Sequence, residues 1–396
     1  MRALLLLLLC ASCQSASGQT VVLVSLDGFR WDYLDRPAAV NLRALAARGV
    51  RAKRLVPAFP SKTFPNHSTL VTGLYPEHHG IISNTMWDDE IGKTFSLSAR
   101  EVMVDPRWWG GEPLWVTAVK TGRTSASYFW PGSDLAIGGV LPTYFHVYDG
   151  RVPNATRVRG VLDWLSLPPA DAPLFVTMYL SDVDHAGHEF GPDAPQTDSA
   201  IARVDSMVGA LVTGLAARGL SDKVNVIVVA DHGMSATSPD RQIFLDDYID
   251  LTSVIVVDWS PVAAILPRAG HEDSVYARLR RAHPQLAVYR KNEIPARLHY
   301  RDNPRITPIL ALAADGWSIA SHARPLRGPG GNHGYDNALP SMGALFVAAG
   351  PAFRRGVVVE PFQNIHVYEL LATITGLTPQ PNDGSLDSVR SLLVPR

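Results

Sequence analysis

Three mostly apolar runs predict strands at separate places along the chain. They cover residues 21–26, 174–180 and 224–230. None of them alternates regularly between apolar and polar positions, and such uniform apolarity is typical of strands buried on both faces, as in parallel sheets covered by helices. Apolar residues at helical spacing, over 201–215, lie between the second and third runs. The pattern predicts an α/β fold with a central, mostly parallel sheet covered by helices on both faces.

Acidic residues and histidines follow each of these runs. In chain order they are Asp27, Asp184, His188, Asp231 and His232. Ligands of open α/β sheets bind at the carboxyl ends of the strands, so we expect these side chains to meet at one edge of one sheet. A single aspartate or histidine is more often structural than a ligand, but packing does not account for the same arrangement at three strand ends.

The remaining segments complete the predicted sheet or interrupt it. Residues 344–348 predict a further strand. Residues 267–319 contain many Arg, His and Pro residues and are predicted to form a small α+β insertion beside the main sheet. Residues 328–334 form a glycine-rich loop, which contains His333 and is too flexible to be ordered by packing alone. We expect one domain, residues 19–396, that includes the insertion.

The segment 60–73 combines threonine and proline at the start of a predicted helix. Thr63 lies two residues before Pro65, and proline favours the first turn of a helix. A threonine at this position is most often an N-cap. It can also be a nucleophile, because the exposed N–H groups and the positive end of the helix dipole favour a phosphate and a developing negative charge.

The acids and histidines are suited to holding metal ions. With His333 added they number six, and aspartate and histidine are the ligands that suit zinc where thiolate is absent. Asp184 and His188 lie either one helical turn apart or on opposite sides of a tight loop. Six ligands divide into two sites of three, and Thr63 would complete one of them. Two ions about 4 Å apart would clamp a phosphoryl centre and activate the attacking hydroxyl oxygen.

Composition and charge restrict the class of partner. The chain has 396 residues, of which 46% are hydrophobic and 18% charged, so it can bury a large core and is neither disordered nor fibrous. Lys and Arg number 36 against 37 Asp and Glu, for a net charge of -1. That balance gives no basic surface for gripping a nucleic-acid polymer, so a nucleotide partner should be small.

The N-terminal residues predict export. A lone arginine, the leucine run 4–9 and the small residues that follow are typical of a secretory signal peptide, residues 1–18, which is too short to span a bilayer. The alternative is a buried first strand or helix. Both cysteines, Cys10 and Cys13, lie in this leader, so the mature chain would have neither disulfides nor thiolate ligands. Cys13 is a candidate for a lipid anchor, although residues 10–12 make a poor lipobox. We expect a periplasmic or secreted protein without a transmembrane span.

Three further features have alternative interpretations. Asn84 is either a turn residue or an amide donor to a phosphate oxygen. The aromatic residues between 108 and 148 either pack in the core or hold a nucleobase by stacking. His78 and His79 are adjacent and therefore point apart, which favours a surface or supporting position over direct metal binding.

Six motifs together resemble the nucleotide pyrophosphatase/phosphodiesterases of the alkaline phosphatase superfamily. They are Leu-Asp-Gly-Phe-Arg (26–30), Lys-Thr-Phe-Pro-Asn-His (62–67), Phe-Trp-Pro-Gly-Ser (129–133), Asp-His-Ala-Gly-His (184–188), Ala-Asp-His-Gly-Met (230–234) and Asn-His-Gly-Tyr-Asp-Asn (332–337). They occur in the family's order, so the resemblance covers essentially the whole mature chain. It implies an alkaline phosphatase-like fold, and the chain's length resembles the single-domain bacterial form.

The resemblance also implies a cofactor and roles for individual residues. Two zinc ions would be bound, one by Asp184, His188 and His333, and the other by Asp27, Thr63, Asp231 and His232. Thr63 would attack phosphorus to form a covalent nucleotidyl-threonine, from which a nucleoside 5′-monophosphate is released. Asn84 and the Thr63 backbone N–H would bind a non-bridging oxygen. Phe64 and Tyr148 would stack on the base.

Four alternatives stay open on the sequence. A phosphomonoesterase shares the metals and the sheet, but no obvious arginine lies beside Thr63 to neutralise a dianionic phosphate. A sulfatase would have a cysteine or serine nucleophile and an arginine, which the Thr63 motif lacks. A lysophospholipid or choline-phosphate diesterase would differ only in pocket shape. A secreted binding protein on an inactive scaffold would not need the full ligand set. The sequence does not determine the oligomeric state.

Overall fold

The computed structural model describes residues 18–395. The expected signal peptide, apart from Gly18, and both cysteines lie outside the described residues. The strands are β1 (Thr20–Leu26), β2 (Val50–Ala52), β3 (Leu55–Val56), β4 (Thr85–Asp88), β5 (Lys93–Ser96), β6 (Ser125–Tyr128), β7 (Tyr144–His146), β8 (Phe175–Leu180), β9 (Val224–Val229), β10 (Ser235–Thr237), β11 (Gln242–Phe244), β12 (Val254–Asp258), β13 (Val262–Pro267), β14 (Leu286–Arg290), β15 (Ile309–Ala313), β16 (Ser318–Ala320), β17 (Gly330–Asn332), β18 (Phe346–Ala349), β19 (Val357–Val359) and β20 (Phe362–Gln363). The α-helices are α1 (Val40–Ala47), α2 (Thr63–Thr72), α3 (Pro76–His79), α4 (Arg100–Met103), α5 (Leu114–Lys120), α6 (Asn154–Leu165), α7 (Asp182–Phe190), α8 (Pro195–Ala217), α9 (Glu272–Leu279) and α10 (His366–Thr375).

Eight strands form the main sheet, in the order β19-β2-β18-β9-β1-β8-β6-β7. The three apolar runs of the sequence are neighbours at its centre, as β9, β1 and β8, and they pair in parallel. All other neighbours are also parallel, except that β18 is antiparallel to both β9 and β2. The residues of β8 and β9 are all buried, as uniform apolarity predicts. The mostly parallel α/β sheet is therefore confirmed.

Two sets of helices cover the sheet. One consists of α1, α6, α7 and α8, in which α8 contacts each of the other three. The second consists of α2, α5 and α10, and α10 packs directly on β1. Both sets bury apolar residues against the strands in one continuous core. This is the layered arrangement that a parallel sheet with crossover helices requires.

Helix α8 is the one described helix whose length and composition would allow it to cross a membrane. It has 23 residues and a mean hydropathy of 1.4. Its apolar stripe, however, is buried: the stripe consists of Ile201, Val204, Val208, Leu211 and Leu215. The stripe faces neighbouring helices of the same domain, which is the behaviour of a core helix.

A second, smaller sheet lies beside the main one. Its four strands are antiparallel in the order β12-β13-β15-β14, and α9 packs on β14 and β15. It has a separate apolar core that includes Ile265, Leu279 and Ile309. The sheet spans residues 254–313, so β12 and all but the last residue of β13 precede the boundary near 267 that the sequence suggested. The division of the chain into one domain with an insertion stays a prediction.

Candidate active site

Thr63 is the first residue of α2, and its side chain does not cap the helix. Lys62 occupies the N-cap position in extended conformation, and its own side chain makes no capping hydrogen bond. The Thr63 hydroxyl oxygen instead lies 3.3 Å from Nε2 of His232. The N-cap interpretation is therefore wrong, because the side chain faces the acids and histidines.

The ends of β1 and β9 deliver three of the predicted residues to one place. The strands are parallel with Ser25 opposite Val229, so Asp27 and Asp231 emerge at the same edge of the sheet. Nε2 of His232 lies 3.4 Å from Asp27 Oδ1 and 3.0 Å from Asp231 Oδ2. All three side chains are essentially inaccessible to solvent. We call Asp27, Asp231 and His232 the buried group.

Helix α7 and the glycine-rich segment bring together a second set. Asp184 and His188 lie one helical turn apart, with Oδ1 and Nε2 separated by 3.4 Å. Nε2 of His333 lies 3.6 Å from the same Asp184 oxygen. His188 is 39% exposed, whereas Asp184 and His333 are 13% and 6% exposed. We call Asp184, His188 and His333 the rim group.

The glycine-rich segment 328–334 is partly a strand, not a free loop. Its residues Gly330–Asn332 form β17, which pairs with β10. A β-carbon on Gly330 would lie 2.4 Å from the carbonyl oxygen of His188, and one on Gly331 would lie 2.5 Å from that of Gly187. Only glycine permits this approach, so the segment is ordered by backbone contact with α7. That contact places His333 beside His188.

The two groups adjoin each other. The rings of His232 and His333 are stacked with centroids 3.5 Å apart. Ligand atoms of Asp27, Asp184 and His232 also lie within 4.8 Å of one another. Asp184 therefore stands between the groups, and all six predicted ligands together with Thr63 form one cluster.

Each of the three histidines presents Nε2 to the cluster. Their Nδ1 atoms lie 2.9 Å from backbone carbonyl oxygens, which belong to Gly331 for His188, Gly233 for His232 and Ser61 for His333. A carbonyl oxygen only accepts, so each Nδ1 donates and the lone pair of the neutral ring is on Nε2. This is the tautomer and the support that metal-binding histidines have.

Three carboxylate oxygens in the cluster are buried without a hydrogen-bond partner among the described residues. They are Asp27 Oδ1, Asp184 Oδ1 and Asp231 Oδ2. Asp231 Oδ2 belongs to this set although His232 Nε2 lies 3.0 Å away, because the neutral ring carries its proton on Nδ1 and has none to donate from Nε2. Buried polar atoms normally have a partner, so these oxygens mark a place for cations. The donor set of carboxylate oxygen and imidazole nitrogen fits zinc. The ligand atoms of the rim group lie close enough together to hold one metal ion. Those of Asp27 do so with Asp184 and His232 and, in a separate set, with His67 and Asp231.

The pKa values of these side chains reflect the crowding of like charges. Burial, followed by the Asp231 and Asp184 carboxylates, raises the pKa of Asp27 well above its ordinary value. Burial also opposes the charged form of His232, but the adjacent Asp231 outweighs it and raises that pKa. The pKa of Asp231 falls to about 2 because His232 outweighs its burial. Burial and the neighbouring histidines lower the pKa of His333 well below its ordinary value.

Two residues in the site were not assigned a role from the sequence. Tyr179 donates from its hydroxyl to Asp27 Oδ2 at 2.5 Å, which leaves Asp27 with one free oxygen. Strand register could have indicated it, because Tyr179 is paired with Ser25, two residues before Asp27. His67 lies 3.5 Å from Asp231, but its Nδ1 contacts the Thr63 carbonyl and its Nε2 contacts the Ser25 hydroxyl, both at 2.8 Å. With both nitrogens occupied, His67 supports the cluster and is not a free ligand.

Asn84 lies at the N-terminus of α2. Its side-chain oxygen accepts the backbone N–H of Phe64 at 2.9 Å. That bond fixes the orientation of the amide, and the amide nitrogen has no hydrogen-bond partner among the described residues. The Thr63 N–H is one of the donors that a helix leaves unpaired at its start. Both donors are placed beside Thr63, as an anion site requires.

The two predicted base-stacking residues lie in separate aromatic clusters. The Phe64 ring packs against Phe95 and Trp109, with centroids 5.9 and 6.0 Å away. Tyr148 is 46% exposed and lies 6.3 Å from the ring of Tyr179. Tyr148 thus adjoins the cluster through Tyr179, and Phe64 adjoins it through Thr63. Their role in base binding stays a prediction.

His78 and His79 lie outside the cluster, on the short helix α3. His79 is buried, and its Nε2 lies 3.1 Å from the hydroxyl of Thr69. His78 is paired with Asp383 at 2.7 Å. Neither is part of the candidate metal groups found among the described residues.

The fold and the cluster define a hydrolase of the alkaline phosphatase-like α/β class. The family model described as type I phosphodiesterase / nucleotide pyrophosphatase matches residues 21–336, so the chain belongs to that family. The protein is accordingly a nucleotide pyrophosphatase/phosphodiesterase.

Relatives of known structure and sequence agree with this assignment. Murine ectonucleotide pyrophosphatase/phosphodiesterase 5, solved as an inactive threonine-to-alanine variant in complex with AMP, is 40% identical with a TM-score of 0.91, over 95% of this chain and 100% of that chain. The human family member 5 is 40% identical over 95% of this chain and 78% of that protein. Mouse bis(5′-adenosyl)-triphosphatase enpp4 is 40% identical over 96% of this chain and 82% of that protein.

Proposed function

We propose that the protein hydrolyses phosphodiester and pyrophosphate bonds of small nucleotides through a covalent threonine intermediate and releases nucleoside 5′-monophosphate. One observation carries the proposal: the Thr63 hydroxyl is at a helix N-terminus and faces His232, inside a cluster with three unpartnered carboxylate oxygens. The inactive relative with AMP bound supports it, since a threonine is the residue replaced there.

Two zinc ions are the proposed cofactor. The rim group, Asp184, His188 and His333, would hold one ion, and the buried group together with Thr63 would hold the other. The unpartnered oxygens and the Nε2 lone pairs suit such ions, as the donor chemistry above shows. When bound, zinc supplies Lewis-acid polarisation of the phosphoryl oxygens and lowers the pKa of a coordinated hydroxyl.

The residues of the chain then perform the transfer. The Thr63 hydroxyl loses its proton to solvent and Oγ forms a bond to phosphorus, while the bond from phosphorus to the leaving oxygen breaks and that oxygen keeps the electron pair. Water later cleaves the Thr63–phosphorus ester: its oxygen bonds to phosphorus, and Thr63 Oγ takes up a proton as it leaves. The Asn84 amide and the Thr63 N–H donate to a non-bridging oxygen as its negative charge increases. The dipole of α2 favours the same charge. These donors are fixed before substrate arrives, because Asn84 is held by the Phe64 N–H.

The proposed substrates are nucleoside triphosphates and dinucleotides. Phe64 follows Thr63 in the helix, and the ring of Tyr148 lies 6.3 Å from that of Tyr179. Rings in these places would stack on a nucleobase. The mouse relative named as a bis(5′-adenosyl)-triphosphatase points to the same substrate class.

Export is proposed for the same protein. The signal-like sequence at residues 1–18 supports it, and so do the names of the relatives, which are ectonucleotide enzymes.

The test compares turnover of a p-nitrophenyl ester of a nucleoside 5′-monophosphate with turnover of p-nitrophenyl phosphate, each with and without a chelator. We expect a strong preference for the diester, lost on chelation and restored by zinc. Preferred turnover of the monoester would contradict the substrate assignment while leaving the metal groups in place. Turnover that persists in chelator after complete removal of metal would contradict the cofactor.

A further inference from the structure

The small sheet contributes a carboxylate to the neighbourhood of Thr63. Asp258 is the last residue of β12, and its Oδ2 lies 2.5 Å from Nζ of Lys62, which immediately precedes Thr63. The two side chains are 16% and 7% exposed, so the pair is largely shielded from solvent. A shielded pair fixes the relative position of its partners more than it adds to stability.

The same carboxylate oxygen has a second donor. The hydroxyl of Ser83 donates to Asp258 Oδ2 at 2.6 Å, and Ser83 immediately precedes Asn84. The other oxygen of Asp258 accepts the backbone N–H of Trp259 at 2.9 Å, which fixes the orientation of the carboxylate. One carboxylate oxygen therefore binds both Lys62, which precedes the proposed nucleophile Thr63, and Ser83, which precedes Asn84, the proposed hydrogen-bond donor to the phosphate.

The contacts close into a ring. Asp258 binds Lys62 and Ser83, and Asn84 accepts the N–H of Phe64, which follows Thr63. Lys62 also supports the loop of a predicted ligand, because its side-chain carbons pack where a β-carbon on Gly334 would lie. The distance between the Thr63 hydroxyl and the Asn84 amide is thus fixed by contacts of the residues on both sides of Thr63.

Docking of the small sheet does not require Asp258. The hydroxyl of Tyr300 donates to the Ile82 carbonyl at 3.0 Å. The Arg305 guanidinium donates to the Asp88 carboxylate at 2.6 Å and to the Gly80 carbonyl at 2.8 Å. These contacts attach the small sheet to the same side of the domain. The Asp258 contacts are therefore not needed for that attachment, and their effect is on the positions of Lys62 and Ser83.

We propose that Asp258 is a positioning residue, which sets the distance between Thr63 and Asn84. It thereby aligns the nucleophilic hydroxyl with the amide that donates a hydrogen bond to the phosphate. The proposal rests on the function proposed above. It gives the small sheet a part in the reaction without contact with substrate. Loss of the constraint should lower kcat more than it raises KM, because the rings proposed to bind the base are not touched.

The experiment measures kcat, KM, zinc content and Tm for Asp258→Asn and Ser83→Ala on the p-nitrophenyl diester. Asp258→Asn keeps the shape and removes the charge, and we expect kcat to fall about 10- to 100-fold, with KM and zinc content near those of the wild type. Ser83→Ala removes one arm of the ring and should give a smaller fall in kcat with unchanged Tm. Asp273→Asn is the matched control, since Asp273 lies on the exposed surface of the insertion and pairs with Arg290.

The outcomes separate the two proposals. Wild-type kcat in both Asp258→Asn and Ser83→Ala overturns the positioning role and leaves the proposed function intact. If Asp258→Asn fails to fold, Ser83→Ala decides, and an unchanged kcat there also overturns the role. A loss of kcat that matches a loss of zinc overturns it too. An inactive wild-type protein contradicts the proposed function itself, and the positioning role falls with it.

Discussion

The buried group and the rim group contain the same kinds of side chain but are positioned by different parts of the fold. Asp27 and Asp231 follow adjacent parallel strands at the centre of the sheet, and their positions are set by strand register. Asp184 and His188 are positioned by a helix, and His333 by a glycine-rich segment in contact with that helix. The first arrangement is fixed by the core, whereas the second depends on backbone contact near the surface.

The difference in burial has consequences for charge. In the buried group, His232 and Asp231 are fully enclosed and compensate each other. In the rim group, His188 is partly solvated and pairs with an acid that also faces His333. Removing a charge from the first therefore leaves an uncompensated buried partner, while water can replace much of what is lost from the second.

Replacing Thr63, which is proposed to complete the buried group but not the rim group, gives the largest expected effect on turnover, because it removes the proposed nucleophile. Thr63→Ala should lower turnover of the diester by about 10³-fold or more, as loss of a nucleophile does in other hydrolases. Both groups keep three protein ligands, so zinc content should stay at two per chain. The measurements are kcat and metal analysis of the folded protein.

The control for this change is Thr63→Ser, which keeps a hydroxyl and should keep measurable turnover. Turnover near that of the wild type in Thr63→Ala would contradict the covalent mechanism. Loss of one zinc from Thr63→Ala would show that the hydroxyl is an essential ligand of the buried group. The buried group would then need four protein ligands where the rim group needs three.

The comparison itself is tested by removing one histidine from each group. In metal-free protein, His232→Ala should lower the free energy of unfolding by about 3–5 kcal/mol, because Asp231 is left as a buried charge without its partner. His188→Ala should cost less than about 1 kcal/mol, since that pair is partly exposed. Denaturant unfolding of the two variants measures the difference, and equal losses would remove the distinction between the groups.

Zinc uptake should also depend on pH differently at the two groups. The raised pKa values of Asp27 and His232 mean that these side chains hold protons to higher pH than they would when free, and zinc must displace them. Affinity at the buried group should therefore rise with pH, about tenfold per pH unit for each proton displaced, and level off above the raised pKa values.

The rim group provides the contrast for that titration. The pKa of His333 is lowered, so its ring is already neutral and releases no proton. Calorimetric titration of His188→Ala, which keeps the buried group, and of His232→Ala, which keeps the rim group, in two buffers of different ionisation enthalpy counts the protons. A larger release from the rim group would contradict the assigned pKa directions.

The sequence predicted the buried group better than its surroundings, for a physical reason. Asp27 and Asp231 follow uniformly apolar strands, and the end of a buried parallel strand fixes where the next side chain lies. Strands β12 and β13 begin ahead of the expected boundary of the small sheet, because a short apolar run does not show which sheet its strand will join. The Asp258–Lys62 contact joins residues 196 positions apart, and no local pattern encodes such a contact.

The direction of the Thr63 side chain could not be predicted from the neighbouring residues in the sequence either. A cap and a nucleophile are predicted by the same residues at a helix start, and the choice depends on what packs opposite. Tyr179 was missed because a tyrosine in an apolar run is typical of a core strand, and only pairing with β1 places its hydroxyl on Asp27. The sequence therefore predicted which residues meet in the cluster and omitted most of what orients them.

The smallest expected effect concerns Tyr148, which reaches the buried group only through the ring of Tyr179. Tyr148→Leu should raise KM for the diester about fivefold, the low end for loss of one base–aromatic stack, because nearly half of the Tyr148 surface is already exposed. Zinc content should not change, since the described rings that contact Tyr148 are those of Phe129 and Tyr179, neither of which is a predicted ligand. Tyr144→Leu is the matched control: Tyr144 stacks on Trp164 away from the cluster and should leave KM unchanged. A fall in zinc content in Tyr148→Leu would show instead that the ring supports Asp27 through Tyr179, and would extend the buried group to the surface of the protein.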